Sequence, residues 1–176
     1  MPAERADADS ARTLLLLRHA KSAYPPGVRD HDRPLSPRGR RQAALAGLWI
    51  SAHGPKLDRV LCSTAARTRE TLTATYLDER APVDYHSEIY EAWSDDLLDL
   101  VTAADPADRT LLMIGHGPAL PDLAAELSGP GSDTRSLAAM ATKFPTSAIA
   151  VLSITGAWAD TSRRTARLTR FVVPGR

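Results

Sequence analysis

Leu14-Leu15-Leu16-Leu17-Arg18-His19 is an apolar run that ends abruptly in a permanent cation and an imidazole. The run is too short for a helix or a membrane span. It reads as a strand buried on both faces, as in a parallel sheet. The carboxyl end of such a strand opens into the crevice where α/β sheets bind ligands, which is where Arg18 and His19 then stand. A fixed cation beside an imidazole suits work on a phosphoryl group. Taken alone, the pair is equally compatible with chance placement after the first strand of any α/β domain.

Working outward, the same grammar repeats. Residues 20–34 carry Pro25, Pro26, Gly27 and Pro34 and form a loop long enough to be functional. Ser36-Pro37 starts a helix that runs to about His53 and stops at Gly54-Pro55. Leu57 to Cys62 reads as a second strand, with Ser63 and Thr64 as caps for a helix to about Leu77. Val83 to His86 is a short third strand, and a helix follows from Ser94 to about Ala103. Leu111-Leu112-Met113-Ile114 is another doubly buried strand, followed by His116-Gly117-Pro118 and a helix to about Ser128. Ser136 to Thr142 reads as a helical turn. Residues 147–154 and 166–173 read as two further strands, the latter at an edge. Strand–loop–helix recurring in this way predicts a three-layer α/β/α sandwich with a mainly parallel central sheet.

At 176 residues the chain is long enough for one well-filled core. Lysine plus arginine number 22 and aspartate plus glutamate 21, so nothing in the balance argues for bulk nucleic-acid or membrane binding. Cys62 is the single cysteine, which excludes an intramolecular disulfide and argues against a thiolate zinc site. Residues 1–12 are polar, lack the apolar stretch of a secretory signal, and read as a disordered tail before one domain over 13–176. The expected compartment is the cytoplasm.

Four chemistry-bearing residues share one address. Arg18 and His19 follow the first strand, Arg67 the second and His116 the fourth. All face the carboxyl edge of one sheet. Arginine's planar fork meets two phosphoryl oxygens at once and never loses its proton. A neutral imidazole is a competent nucleophile at pH 7, and flanking arginines keep its proton off. His19, beside Arg18, is the candidate nucleophile. His116 is the electrophilic partner, and no metal or other cofactor is required. The alternative of a metal held by His19 and His116 is disfavoured by the neighbouring guanidinium charges.

Leu16–Ser22, Leu61–Thr68 and Ile114–Pro118 together resemble the signature blocks of the histidine phosphatase (phosphoglycerate-mutase-like) superfamily. The short chain and the segment Asp30-His31-Asp32-Arg33-Pro34-Leu35-Ser36-Pro37-Arg38-Gly39 resemble its bacterial branch of SixA-type phosphohistidine phosphatases. The resemblance implies that His19 is transiently phosphorylated and that Arg18, Arg67 and His116 form the phosphate pocket, with Ser22 beside it. It also places Glu91 where relatives acting on alkyl phosphates keep a general acid. Glu88 is a weaker candidate for that role, and a solvated or capping carboxylate is the plain alternative for Glu91. Most of the superfamily has Gly after the histidine. Alanine resists positive φ, so Ala20 predicts ordinary backbone there.

The remaining candidates read more blandly. His53 is a helix-end residue and His86 a surface strand residue, whereas His31 and Arg33 lie in the loop within reach of a substrate. Lys21 steers anions or faces water. Trp49 reads as core, Cys62 as buried and inert, and Trp93 as wall or underpinning of the pocket. The expected activity is a metal-independent phosphatase with a phosphohistidine intermediate, acting on protein phosphohistidine. A broad small-molecule phosphomonoesterase is the alternative. A protein that binds phospho-ligands without turnover is the rival of another class, disfavoured by the full quartet. No nucleic-acid or membrane partner is expected.

Overall fold

The computed structural model describes residues 11–175. In chain order it contains β1 (Ala11–Arg18), α1 (Pro37–His53), β2 (Arg59–Ser63), α2 (Ala66–Thr75), β3 (Val83–His86), α3 (Ser94–Thr102), β4 (Thr110–Gly115), α4 (Ala119–Leu127), α5 (Thr134–Thr142), β5 (Ile149–Thr155) and β6 (Ala166–Val172). The strands form one sheet in the order β3-β2-β4-β1-β5-β6. The first four in that order run parallel, and β5 and β6 close one side antiparallel.

The leucine run lies at the centre of this sheet, and its alternation defines the layers. Leu14 and Leu16 enter a core shared with α3, α4 and α5, whereas Leu15 and Leu17 enter a second core shared with α1 and α2. All four are fully buried. A strand flanked by helices on both faces has no polar side to alternate, which is why the sequence shows an unbroken apolar run. The expected α/β/α sandwich is the observed one.

Two boundaries differ from expectation. Ala11 and Arg12 belong to β1 rather than to a tail, pairing with Thr155 and Ile154 of β5. The buried Arg12 guanidinium donates to the carbonyls of Gly156 and Pro106, so a polar side chain finds backbone partners that the sequence does not advertise. Residues 1–10 of the expected tail lie outside the described residues. The turn expected at 136–142 is a nine-residue helix, α5, capped by the Asp133 carboxylate accepting from Ser136 N.

The segment after His19 is held tightly. Ala20 N donates to Thr71 Oγ1 on α2 at 2.9 Å, and Lys21 N to Gln42 Oε1 on α1 at 3.2 Å. Ser36 caps α1 through its hydroxyl and also donates to Lys21 O. A Cβ on Gly39 would lie 2.0 Å from Lys21 O, so only glycine lets α1 press against this backbone. Ala20 is fully buried and is not among the positive-φ residues, as its side chain predicts. Among the described residues no helix is long and apolar enough to cross a membrane.

Candidate active site

The carboxyl ends of β1, β2 and β4 bring the two histidines together. The His19 and His116 rings stand 5.2 Å apart, tilted by 53°. Both residues are less than a tenth exposed. His19 Nδ1 lies 2.7 Å from Ala20 O. A carbonyl only accepts, so the proton sits on Nδ1, and neutral His19 carries its lone pair on Nε2. Burial pushes His19 down to about 4, reinforced by the charges of Arg67, Arg18 and Arg33 and opposed by the Ala20 bond. The ring is therefore neutral near pH 7.

His116 Nε2 lies 2.8 Å from Ser63 Oγ, and its buried Nδ1 has no partner among the described residues. Burial, then His19 and Arg67, push it down to about 3. Ser63 was expected to cap α2. Its hydroxyl is instead engaged with His116, with Ala65 N as a second contact at 3.3 Å. Thr64 Oγ1 lies 3.0 Å from His31 Nε2, and α2 begins at Ala66 without a side-chain cap. At the start of α3 the backbone N–H of Trp93 donates to the Asp96 carboxylate, and Ser94 Oγ donates to Glu126.

The two arginines are placed differently. Arg67, in the first turn of α2, is buried and donates through Nη1 to Asp30 O at 2.8 Å and through Nη2 to Asp30 Oδ2 at 3.1 Å. Arg18 donates to Phe144 O at 2.6 Å and stacks so closely on Gly117 that a Cβ there would meet its guanidinium carbon at 3.3 Å. Both charges act on both histidines.

Asp30 is the residue that sequence reasoning missed. Tyr90 Oη donates to it at 2.8 Å and Arg33 Nε at 3.0 Å, besides Arg67. These bonds hold its carboxyl at about 2, the Tyr90 hydroxyl being the largest cause. Tyr90 also packs edge-on against His116 and His31, with ring centroids 5.6 and 4.8 Å away. Arg33 bridges Asp30 to Ser22, whose buried hydroxyl accepts from Arg33 Nη1 at 2.9 Å. Ser22 is thus linked to the site through Arg33.

Glu91 lines a cavity of about 310 Å³ together with Asp30, Arg67, Tyr90 and His116. Its backbone is left-handed, φ 59°, an uncommon conformation for glutamate that turns the chain at the cavity mouth. Its carboxylate has no hydrogen-bond partner among the described residues. Glu88 points to His86, 3.9 Å away, and Ser87 instead. Trp93 forms part of the cavity rim and is 74% exposed, so it walls the pocket rather than underpinning it. Cys62 is fully buried, and burial pushes its thiol up to about 12, which leaves it unreactive. Trp49 is only partly buried, stacked on His53 at the end of α1.

The depressed histidines predict a pH-dependent stability. An unfolded imidazole titrates near 6.5, so below that pH the unfolded chain binds protons that the folded chain refuses. Stability is full above about 6.5 and falls as pH drops towards about 4 for His19 and about 3 for His116. By pH 5 the loss is about 2 kcal/mol for each imidazole taken singly. Denaturant midpoints at pH 7.5 and 5 check this, and added phosphate should narrow the difference by favouring the protonated rings. Asp30 adds nothing in that window, because its contribution is lost only between about 3.8 and about 2.

A buried imidazole pair flanked by arginines at the carboxyl edge of a parallel sheet defines a class as well as a geometry. The chain belongs to the histidine phosphatase superfamily (branch 1), whose family model matches residues 14–110. That match includes Arg18, His19, Arg67 and Glu91 and ends before His116, which follows β4. An uncharacterised protein of Mycobacterium tuberculosis, Rv1276c, is 46% identical over 90% of this chain and 99% of its own. A provisional phosphohistidine phosphatase SixA of Nakamurella multipartitia has a structure similar at TM-score 0.84, 41% identical, covering 94% of this chain and 98% of its own. A provisional SixA of Agrobacterium tumefaciens is similar at TM-score 0.74 and 32% identity, covering 93% and 99%.

Proposed function

We propose that this protein is a metal-independent phosphatase that removes phosphate from protein phosphohistidine through a phosphorylated His19. The observation that carries the reading is the fixed tautomer of His19. Its Nδ1 proton is held by Ala20 O, its Nε2 has no hydrogen-bond partner among the described residues, and its ring is neutral beside two guanidinium groups.

The Nε2 lone pair attacks phosphorus in line, forming a P–N bond while the bond to the leaving nitrogen breaks. Arg18 and Arg67 stabilise the oxygens as charge redistributes. His116, protonated once a phosphoryl dianion is near, donates to the phosphoryl group and keeps Ser63 Oγ as its other partner. Water then attacks the phosphorus of phospho-His19. The P–N bond breaks, its electron pair returns to Nε2, and inorganic phosphate leaves with the oxygen of water. The guanidinium groups supply the positive charge that a metal would otherwise bring.

Leaving-group chemistry favours phosphohistidine. An imidazole protonated on its other nitrogen departs neutral, whereas an alkoxide requires a proton in the transition state. Glu91 is the carboxyl group on the cavity wall that could supply it. The open setting of that cavity, with Trp93 at its rim, fits a side chain presented by a protein.

The test is a side-by-side comparison of Glu91→Gln with the parent enzyme on a phosphohistidine protein and on alkyl and aryl phosphates. The alkyl ester should lose about 10²-fold in kcat/KM, the expected contribution of one general acid, and phosphohistidine less than about threefold. Equal losses on the two substrates would remove the leaving-group argument. A parent enzyme that prefers the esters would establish the alternative of a broad small-molecule phosphomonoesterase.

A further inference from the structure

A second cavity, of about 520 Å³, is lined by Arg18, whose charge acts on both His19 and His116. Among the described residues its charged lining is cationic: Arg18, Lys21, Arg38, Arg41 and Lys143. The chain as a whole is nearly neutral, so this concentration of one sign is local. The neighbouring arginines show what the chain does elsewhere. Arg33 pairs with Asp30 and Arg40 with Glu70. Arg38 and Arg41, one turn apart on α1 and facing this cavity, have no ion-pair partner among the described residues, and neither do Lys21 and Lys143.

Three further features run against a merely solvated patch. The first turn of α1 contains no acidic residue. Arg38 therefore sits near the positive end of the helix dipole, where a cation is unfavourable and a bound anion favourable. Ser147 also lines the cavity, is 2% exposed, and its hydroxyl has no partner among the described residues. Its backbone adopts φ 63°, rare for serine, with its N–H donating to Arg18 O and His19 O. Gln42 accepts through Oε1 from both Lys21 N and Thr146 Oγ1, which leaves its amide hydrogens for another acceptor.

We propose that this cavity is a second oxyanion site, occupied by an anionic group on the same substrate whose phosphoryl group is held at His19. The proposal rests on reading the histidine pair as a phosphoryl site and adds to it a second charge on the substrate. Arg18 belongs to both sites, so the two anions sit within the span of one guanidinium. The anion is a carboxylate beside the phosphohistidine on a protein, or a second phosphoryl group on a small molecule. The chemistry recognised is the same.

The experiment measures kcat/KM for two matched pairs, with the parent enzyme and with the doubly substituted Arg41→Gln, Lys143→Gln protein. One pair is propane-1,3-diyl bisphosphate against propyl phosphate. The other is a phosphohistidine peptide flanked by glutamate against the same peptide flanked by glutamine. The parent should favour the second anion by at least about tenfold in one pair, and the double substitution should bring that ratio close to unity. The pair that responds identifies the source of the anion. A ratio near unity in the parent, a ratio the substitutions leave unchanged, or an equal loss on both members overturns the proposal. Calorimetric Kd values for propane bisphosphonate and propyl phosphonate give the same ratio without turnover, and Arg38→Gln provides an independent variant. A parent inert towards both peptides but selective between the small molecules would sink the phosphohistidine reading and leave the second site standing.

Discussion

His19→Ala should abolish turnover, lowering kcat by at least about 10⁴-fold, while the protein stays folded. The same substitution should remove the covalent intermediate. With ³²P-labelled substrate, the parent enzyme quenched in base should retain label as a P–N adduct that acid releases. His19→Ala should retain none. His116→Ala tests the division of roles, because it keeps the nucleophile: it should slow turnover yet still trap label. The geometry makes these outcomes specific. His19 has a fixed tautomer and an unengaged Nε2, whereas His116 Nε2 is committed to Ser63. Turnover of His19→Ala at the parent's rate, or label retained in it, would assign the nucleophile elsewhere. Stability provides a control of opposite sign. Removing an imidazole held down at about 4 removes a source of acid sensitivity, so His19→Ala should lose less stability than the parent between pH 7.5 and 5.

How much of this could be read from the chain depended on whether a residue's role left a local pattern. The doubly buried strands did, because a strand without a polar face has no alternation. Arg18, His19, Arg67 and His116 could be placed together because each follows a strand or opens a helix at the same sheet edge. Asp30 could not. It lies in a proline-rich polar loop between other charged residues, and its position over Arg67 arises from a fold-back that no period encodes. A weak signal existed in Arg29-Asp30-His31-Asp32-Arg33, a dense run of charge in a loop that also carries three prolines and a glycine. Ser63 misled for a related reason. A serine before a helix has the composition of a cap, and only the approach of β4 in three dimensions gives its hydroxyl a histidine to meet. Thr71 likewise reads as an ordinary helix residue, although it holds Ala20 in place and donates back to Arg67 O.

Arg67→Gln should lower kcat/KM by at least about 10³-fold, the scale on which removing one preorganised donor from a developing oxyanion is felt. Glutamine keeps some hydrogen-bonding capacity but loses the charge and the fork. The buried guanidinium presently donates through Nη1 and Nη2 to the carbonyl and the carboxylate of Asp30, while its Nε has no partner among the described residues. An arriving phosphoryl group must therefore share or displace an internal anion. Asp30 occupies two of the N–H donors that a phosphoryl group would use, so it weakens binding of phosphate by competing for Arg67 while keeping the side chain in position. Asp30→Asn should then act in the opposite direction, tightening competitive inhibition by inorganic phosphate by about three- to tenfold. The two substitutions share a partner and should not be additive. In the Arg67→Gln background, Asp30→Asn should change phosphate inhibition by less than about twofold, because the carboxylate no longer competes for a guanidinium. A tightening of the same size in both backgrounds would show that Asp30 acts on the bound anion through its own charge rather than through Arg67. A loss of less than about tenfold for Arg67→Gln alone would leave Arg18 as the principal holder of the phosphoryl oxygens.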